Sequence, residues 1–158
     1  KKNKGAGYCR NYAIKKSKSP YLAFIDSDDI WKKDKLETQL RFMENNNYLF
    51  TYTNYETFGK KIKFISPAKE YDFKKFINDT SICTSTMIVK RNILKNIEFT
   101  NSEICEDYFF KCKILKIWNL FLISIFLDLI YLSESGTRYP PITKYLPVFS
   151  NIFLDFSK

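Results

Sequence analysis

Histidine is absent from this sequence. Its absence removes Ser-His-Asp and Cys-His hydrolysis, imidazole general bases and the His-rich zinc sites. Any acid–base chemistry must therefore run on carboxylates, Lys, Tyr or Cys. Glycine (4) and proline (5) are scarce as well, which excludes glycine-rich phosphate loops and linker-like or collagen-like segments. The four cysteines, Cys9, Cys83, Cys105 and Cys112, form no Cys-x-x-Cys pair, and no signal-peptide pattern precedes them. They read as reduced thiols of a cytoplasmic protein, not as a zinc ribbon or a disulfide scaffold. Long apolar runs are missing too. The most apolar stretch, Trp118 to Leu132, is interrupted by Asn119, Ser124 and Asp128 and falls short of the roughly 20 residues that span a bilayer. It reads as buried core, with contact to a membrane surface as the alternative.

What is present amounts to one domain: 158 residues, 45% hydrophobic and 18% aromatic, enough apolar content to offset the entropy of ordering. Lys and Arg number 26 against 17 Asp and Glu, a formal charge of +9. The chain opens on Lys1 and runs directly into helical-looking sequence, so it is expected to be a piece of a longer protein.

Between Gly5 and Ser17, Ala6, Cys9, Ala13 and Ile14 recur at helical spacing, and Ser19-Pro20 ends the segment. Tyr21 to Ile25 is a continuous apolar run, the pattern of a strand covered on both faces. It passes straight into Asp26-Ser27-Asp28-Asp29. A second helix follows, with Leu36, Leu40 and Met43 on one face and Asp34 with Glu37 as a capping box. Strands are expected at 48–53, 61–65 and 84–89, a short helix at 71–77 and a longer one at 106–117. Helix, buried strand, helix, strand in that order predicts an α/β layered domain with at least one right-handed crossover.

In open α/β sheets, ligands bind beyond the carboxyl ends of strands, where Asp26 and Asp28 are expected. Two carboxylates at i and i+2 on such a turn can address one divalent cation that carries phosphate oxygens. A solvated acidic turn capping the next helix is the alternative, and Asp29 suits that role.

The segments Gly5-Ala6-Gly7-Tyr8-Cys9-Arg10-Asn11-Tyr12-Ala13-Ile14 and Tyr21-Leu22-Ala23-Phe24-Ile25-Asp26-Ser27-Asp28-Asp29, then Trp31, Lys35-Leu36-Glu37 and Gln39-Leu40, together resemble the inverting GT-A-type glycosyltransferases of family two. Glu106-Asp107 behind the Ser/Thr-rich segment 81–89 matches that family's second acidic landmark. The resemblance covers about residues 2–117. It implies a GT-A-like, mostly parallel sheet with helices on both faces, its central strand Tyr21 to Ile25. It implies a catalytic portion over 1–117 and a poorly matching extension over 118–158. The family's N-terminal nucleotide-binding βαβ unit has no counterpart here, so little affinity for nucleotide-sugars is expected of this chain alone.

Residue by residue, the resemblance assigns Gly5, Arg10, Asp26, Ser27 and Asp28 to the nucleotide-sugar, and Asp28 with Asp26 to a divalent metal, Mn or Mg. Asp107 would be the general base that deprotonates an acceptor hydroxyl. Arg10 could instead be a surface charge on the first helix, and Asp107 a helix-capping carboxylate. The implied partners are a nucleotide-sugar donor, UDP-linked, and a saccharide or glycolipid acceptor, as in surface-polysaccharide or lipooligosaccharide synthesis. Nucleic acid is not expected, since no recognition motif accompanies the scattered lysines. Cytoplasmic placement, with peripheral contact to the inner face of the membrane, fits the positive charge. A haloacid-dehalogenase-like phosphatase is disfavoured by Ile30, and an EF-hand by Ile30 and the missing glycine. The non-enzymatic alternative is an inactive glycosyltransferase remnant or a basic binding module.

Overall fold

The computed structural model describes residues 3–59, 61–102, 105–118 and 122–133. Helix α1 (Ala6–Lys16) starts after Gly5, whose φ of 82° is left-handed and open to glycine without strain. Lys15 and Lys16 fall in its last turn, where cations oppose the helix dipole. Its buried face is Gly7, Arg10 and Asn11, one residue round from the expected apolar face; Ala6 and Cys9 are exposed. Polar pairing explains the difference. The Asn11 side chain donates to the Phe99 carbonyl (2.9 Å) and accepts from its N–H (2.8 Å), imitating a strand partner. Gly7 has no side chain to keep the two segments apart: a Cβ there would meet the Thr100 carbonyl oxygen.

Strand β1 (Tyr21–Ala23) runs toward the acidic turn, and β2 (Ile30–Trp31) leaves it. Helix α2 (Lys35–Asn45) buries Lys35, Gln39 and Met43, while Leu36 and Leu40 pack at the edge of the same face. Asp34 occupies the N-cap position, but its side chain makes no capping bond. The expected capping box is absent because Glu37 pairs instead with Arg41 one turn on (2.5 Å). Then come β3 (Phe50–Phe58), β4 (Phe64–Ile65), β5 (Glu70–Tyr71) and the short α3 (Phe73–Phe76), which Asp72 caps through the Lys75 N–H (2.7 Å). The Ser/Thr-rich segment forms a 3-10 turn over Thr84–Thr86, with strand β6 only at Ile88–Lys90. Helix α4 (Glu106–Trp118) and strand β7 (Leu122–Ser133) close the described chain.

The sheet has the order β1-β6-β3-β7-β2, with β4 on β3 and β5 on β7. The α/β class holds, and helices pack against the sheet as expected. The strand directions do not: among the described strands only β3 and β7 pair in parallel, and every other pairing is antiparallel. Nor is β1 central; it ends the described strand order, paired with β6 alone. An apolar run reports cover on both faces, and that cover is real. Leu22 and Phe24 join the main core with Phe99, Phe110 and Ile114, and Ala23 joins Met43 and Ile88 on the α2 side. Such a run carries no information about which way the neighbours run or how many there are. Strand β7 lies in the stretch expected to be an extension, yet its residues 122–133 pair with three strands of the sheet. Residues 134–158 lie outside the described residues. No described helix is long and apolar enough to cross a membrane.

Candidate active site

Beyond β1 the chain turns through Asp26–Asp29, closed by the Asp29 N–H donating to the Asp26 carbonyl (3.1 Å). Ser85, fully buried in the 3-10 turn, holds this acidic turn from below. Its hydroxyl accepts from the Asp26 N–H (2.9 Å) and donates to Asp29 Oδ2 (2.5 Å), and its carbonyl accepts from Trp31 Nε1 (2.8 Å). Asp29 is therefore an internal support. Ser27 and Asp28 are exposed at the tip, and among the described residues Asp28 has no ion-pair or hydrogen-bond partner.

Arg10 links this turn to the far acidic landmark. Its Nη2 meets Asp26 Oδ1 and its Nη1 meets Glu106 Oε1, each at 2.5 Å, and the guanidinium carbon lies 5.3 Å from the Phe99 ring centre. The side chain is 7% exposed, so it is not a solvated surface charge. Burial opposes its charge, but Asp26 and Glu106 more than compensate and raise the guanidinium above its ordinary value. One planar fork thus ties α1, the acidic turn and α4 together.

Asp107 follows Glu106 in the first turn of α4. Both the Thr84 hydroxyl and the Lys111 ammonium donate to its Oδ2 (2.8 Å each), and Lys111 also donates to the Ile82 carbonyl (2.7 Å). Burial works to raise the Asp107 carboxyl, but the Lys111 charge and the bonds from Lys111 and Thr84 outweigh it and hold the group below its ordinary range. It is thus an ionised acceptor at neutral pH. Gly5 and Gly7, with Asn3, Lys4, Tyr8, Asn101 and Ser102, line an open cleft of about 510 Å³ at the start of α1.

The structure so brings Arg10 and Asp26 into one bonded group, places Asp107 beside it through Glu106, and leaves Ser27 and Asp28 at the exposed tip. Sequence reasoning missed Ser85, Thr84 and Lys111 as partners. Two signals point to them: the Ser/Thr run at 84–86, whose β-branched residues suggest a strand, and the four-residue spacing from Asp107 to Lys111 on the expected helix. Among the described residues no three Asp, Glu or Cys side chains could hold a cation unaided. A cation held at this turn would need donors beyond its carboxylates, as Mg²⁺ does when one or two carboxylates are completed by water and other oxygens.

Across known proteins, the family model for "Glycosyl transferase family 2" matches residues 1–109. The chain belongs to this family. A Haemophilus influenzae protein named as an uncharacterized glycosyltransferase is 34% identical to this family 2 chain over 117 residues, covering 72% of it and 46% of that protein. The Escherichia coli UDP-Glc:alpha-D-GlcNAc-diphosphoundecaprenol beta-1,3-glucosyltransferase WfgD is 37% identical over 116 residues, covering 72% and 45%. An uncharacterized glycosyltransferase of Rickettsia felis is 49% identical over 65 residues, 41% of this chain and 11% of that one. The chain therefore spans under half the length of these curated relatives. Among solved structures, Staphylococcus aureus TarS 1-349 in complex with UDP-GlcNAc superposes with a TM-score of 0.69 at 19% identity, covering 85% of this chain and 40% of that one. That likeness establishes the mixed α/β, GT-A-like fold.

Proposed function

We propose that the protein carrying this chain transfers a sugar from a UDP-linked donor to a hydroxyl of a saccharide or glycolipid acceptor, with inversion and with a divalent metal, Mn or Mg. The observation that carries this reading is the bridge from Asp26 through Arg10 to Glu106, which joins the turn bearing Asp28 to the helix start bearing Asp107. Relatives named for UDP-glucose transfer to a diphosphoundecaprenol-linked sugar and for teichuronic acid biosynthesis support the substrate class.

In this reading Asp107 accepts the proton of the acceptor hydroxyl. The acceptor oxygen bonds to the anomeric carbon from one face as the bond to the donor's phosphate oxygen breaks on the other, and the electron pair leaves on the nucleoside diphosphate. Lys111 and Thr84 keep Asp107 ionised and fixed in direction, which matters because a general base works only within hydrogen-bond reach of its proton. Asp28, with Asp26 beside it, would hold the divalent cation, whose charge offsets that of the leaving diphosphate. Arg10 orients Asp26 toward the donor, while Gly5 and Ser27 present backbone and hydroxyl at the rim. Residues 1–117 serve as the catalytic portion. The +9 charge suits peripheral work at an anionic membrane on the cytoplasmic side, where glycolipid acceptors lie.

The test is transfer from UDP-glucose and UDP-GlcNAc by the active protein. Asp28→Ala and chelation by EDTA should each reduce turnover by about two orders of magnitude or more. Asp107→Asn should leave donor affinity within about twofold while abolishing transfer. Full activity in EDTA would refute the metal, and an active Asp107→Asn enzyme would refute the base.

A further inference from the structure

Two neighbouring hydroxyls of the Thr84–Thr86 turn each reach one half of the acidic site. Ser85 Oγ takes the Asp26 N–H (2.9 Å) and gives its proton to Asp29 (2.5 Å), while Thr84 Oγ1 gives its proton to Asp107 (2.8 Å). The turn is itself anchored. Its Thr86 carbonyl accepts from Gln39 Nε2 of α2 (3.0 Å), the Thr86 N–H and hydroxyl both donate to the Cys83 carbonyl (3.1 and 2.6 Å), and Lys111 of α4 holds the Ile82 carbonyl. Thr84, Ser85 and Thr86 are all buried. Buried hydroxyls are retained in a core only where partners repay their desolvation. Here the partners include backbone and carboxylates of two segments more than 75 residues apart in sequence (107 − 29 = 78).

We infer that Ser85 and Thr84 are positioning residues. They form one bracket between the acidic turn and Asp107: Ser85 holds the Asp26 backbone and the Asp29 carboxylate, and Thr84 sets the direction of Asp107. Each hydroxyl holds its own half of the site, so removing one should disturb that half first. The roles of Asp28 and Asp107 in transfer rest on the function proposed above; the bracket itself does not, and it has readouts of its own.

Ser85→Ala and Thr84→Val each delete a hydroxyl at nearly constant volume, and Thr84→Ser restores one. In the full chain, hydrogen exchange of the Asp26 amide should accelerate about tenfold in Ser85→Ala and hardly change in Thr84→Val, because a bond in a charged network is worth about that factor. The carbon-13 titration of the Asp107 carboxyl should move upward in Thr84→Val and return in Thr84→Ser, with Lys111 and the Tyr108 N–H still in place. In the active protein, Ser85→Ala should raise the KM for the nucleotide-sugar about tenfold and Thr84→Val should lower kcat with KM unchanged. A merely structural role would lower thermal stability in both variants and move both constants together. Unchanged Asp26 exchange in Ser85→Ala, or an unmoved Asp107 midpoint in Thr84→Val, overturns the bracket whatever the transfer assay shows. Absence of transfer in the unmutated protein would instead count against the proposed function alone.

Discussion

At the scale of single residues, Lys35 carries the sharpest electrostatic consequence. Its ammonium is fully buried 4.0 Å from the Trp31 ring centre and has no hydrogen-bond partner among the described residues. Burial drives it well below the ordinary lysine value of 10.5. Between its folded value and that ordinary value the unfolded chain binds the extra proton, so stability rises as pH rises through the window. Lys35→Met should remove that rise and stabilise the fold at neutral pH by roughly 1 kcal/mol or more, since a buried amine without a hydrogen-bond acceptor is replaced by apolar volume. Urea unfolding at pH 7 and pH 10 reads both effects. Asp107 changes stability with pH in the same direction, but at the acid end and as a stabilising group. Its carboxyl is depressed by Lys111 and Thr84 against the push of burial, so the stability it contributes is complete above the ordinary Asp range near about 4 and is lost as pH falls through its folded value. Lys111→Met should flatten the acid limb of a stability–pH curve. A limb of unchanged steepness would show that the pair adds nothing. The acidic turn at Asp26 was legible from the apolar run before it, whereas Arg10 and Asp107 were singled out through the family resemblance. The contacts from Arg10 to Glu106 and from Thr84 to Asp107 span 96 and 23 residues and leave no local spacing to read, whereas Lys111 stands four residues after Asp107 on the expected helix, a spacing that could have been read.

At the scale of elements, α1 shows how packing overrides propensity. Alanine is about 1 kcal/mol better than glycine inside a helix, so Gly7→Ala would stabilise an isolated α1. In the fold, its Cβ would collide with the Thr100 carbonyl and lie 3.3 Å from Glu106 Cγ. The expected balance is a net loss of roughly 1–3 kcal/mol, because overpacking against backbone exceeds the propensity gain. Thermal denaturation of Gly7→Ala checks the sign, and a raised Tm would show that the 99–106 segment yields easily. The helices were readable from period and punctuation: α1 and α4 lie within a residue or two of their expected ends, and α2 starts directly after Asp34. Strand 84–89 was not. Its β-branched residues fit a strand, but the hydroxyls of Thr84, Ser85 and Thr86 bond locally and to distant carboxylates, and that pulls the backbone into a 3-10 turn.

At the scale of the whole molecule, charge and sheet order set expectations for behaviour in solution. With +9 at neutral pH, the chain should sediment with vesicles rich in anionic lipid at about 0.15 M salt. It should be released at about 1 M, where screening shortens from roughly 8 to 3 Å. Binding that survives high salt would mean apolar insertion instead. The strand order places β1 at one end of the described sheet. Among the described residues β1 pairs on one side only, and edge pairing is the hazard to watch during purification. The order of helices and strands made the α/β class legible, and the residue counts gave the positive charge, whereas pairing direction depends on long-range topology that no local pattern encodes.

The bond from Trp31 to the Ser85 carbonyl (2.8 Å) has an optical consequence. The chain has two tryptophans, Trp31 and Trp118, so Trp118→Phe leaves one indole, lodged behind the acidic turn and lying over the Lys35 ammonium. Its emission is then a local gauge. A bound paramagnetic ion such as Mn²⁺ quenches a nearby excited indole, and a changed Ser85 contact shifts its wavelength. Occupancy of the turn can thus be followed in a cuvette, by light, without any turnover.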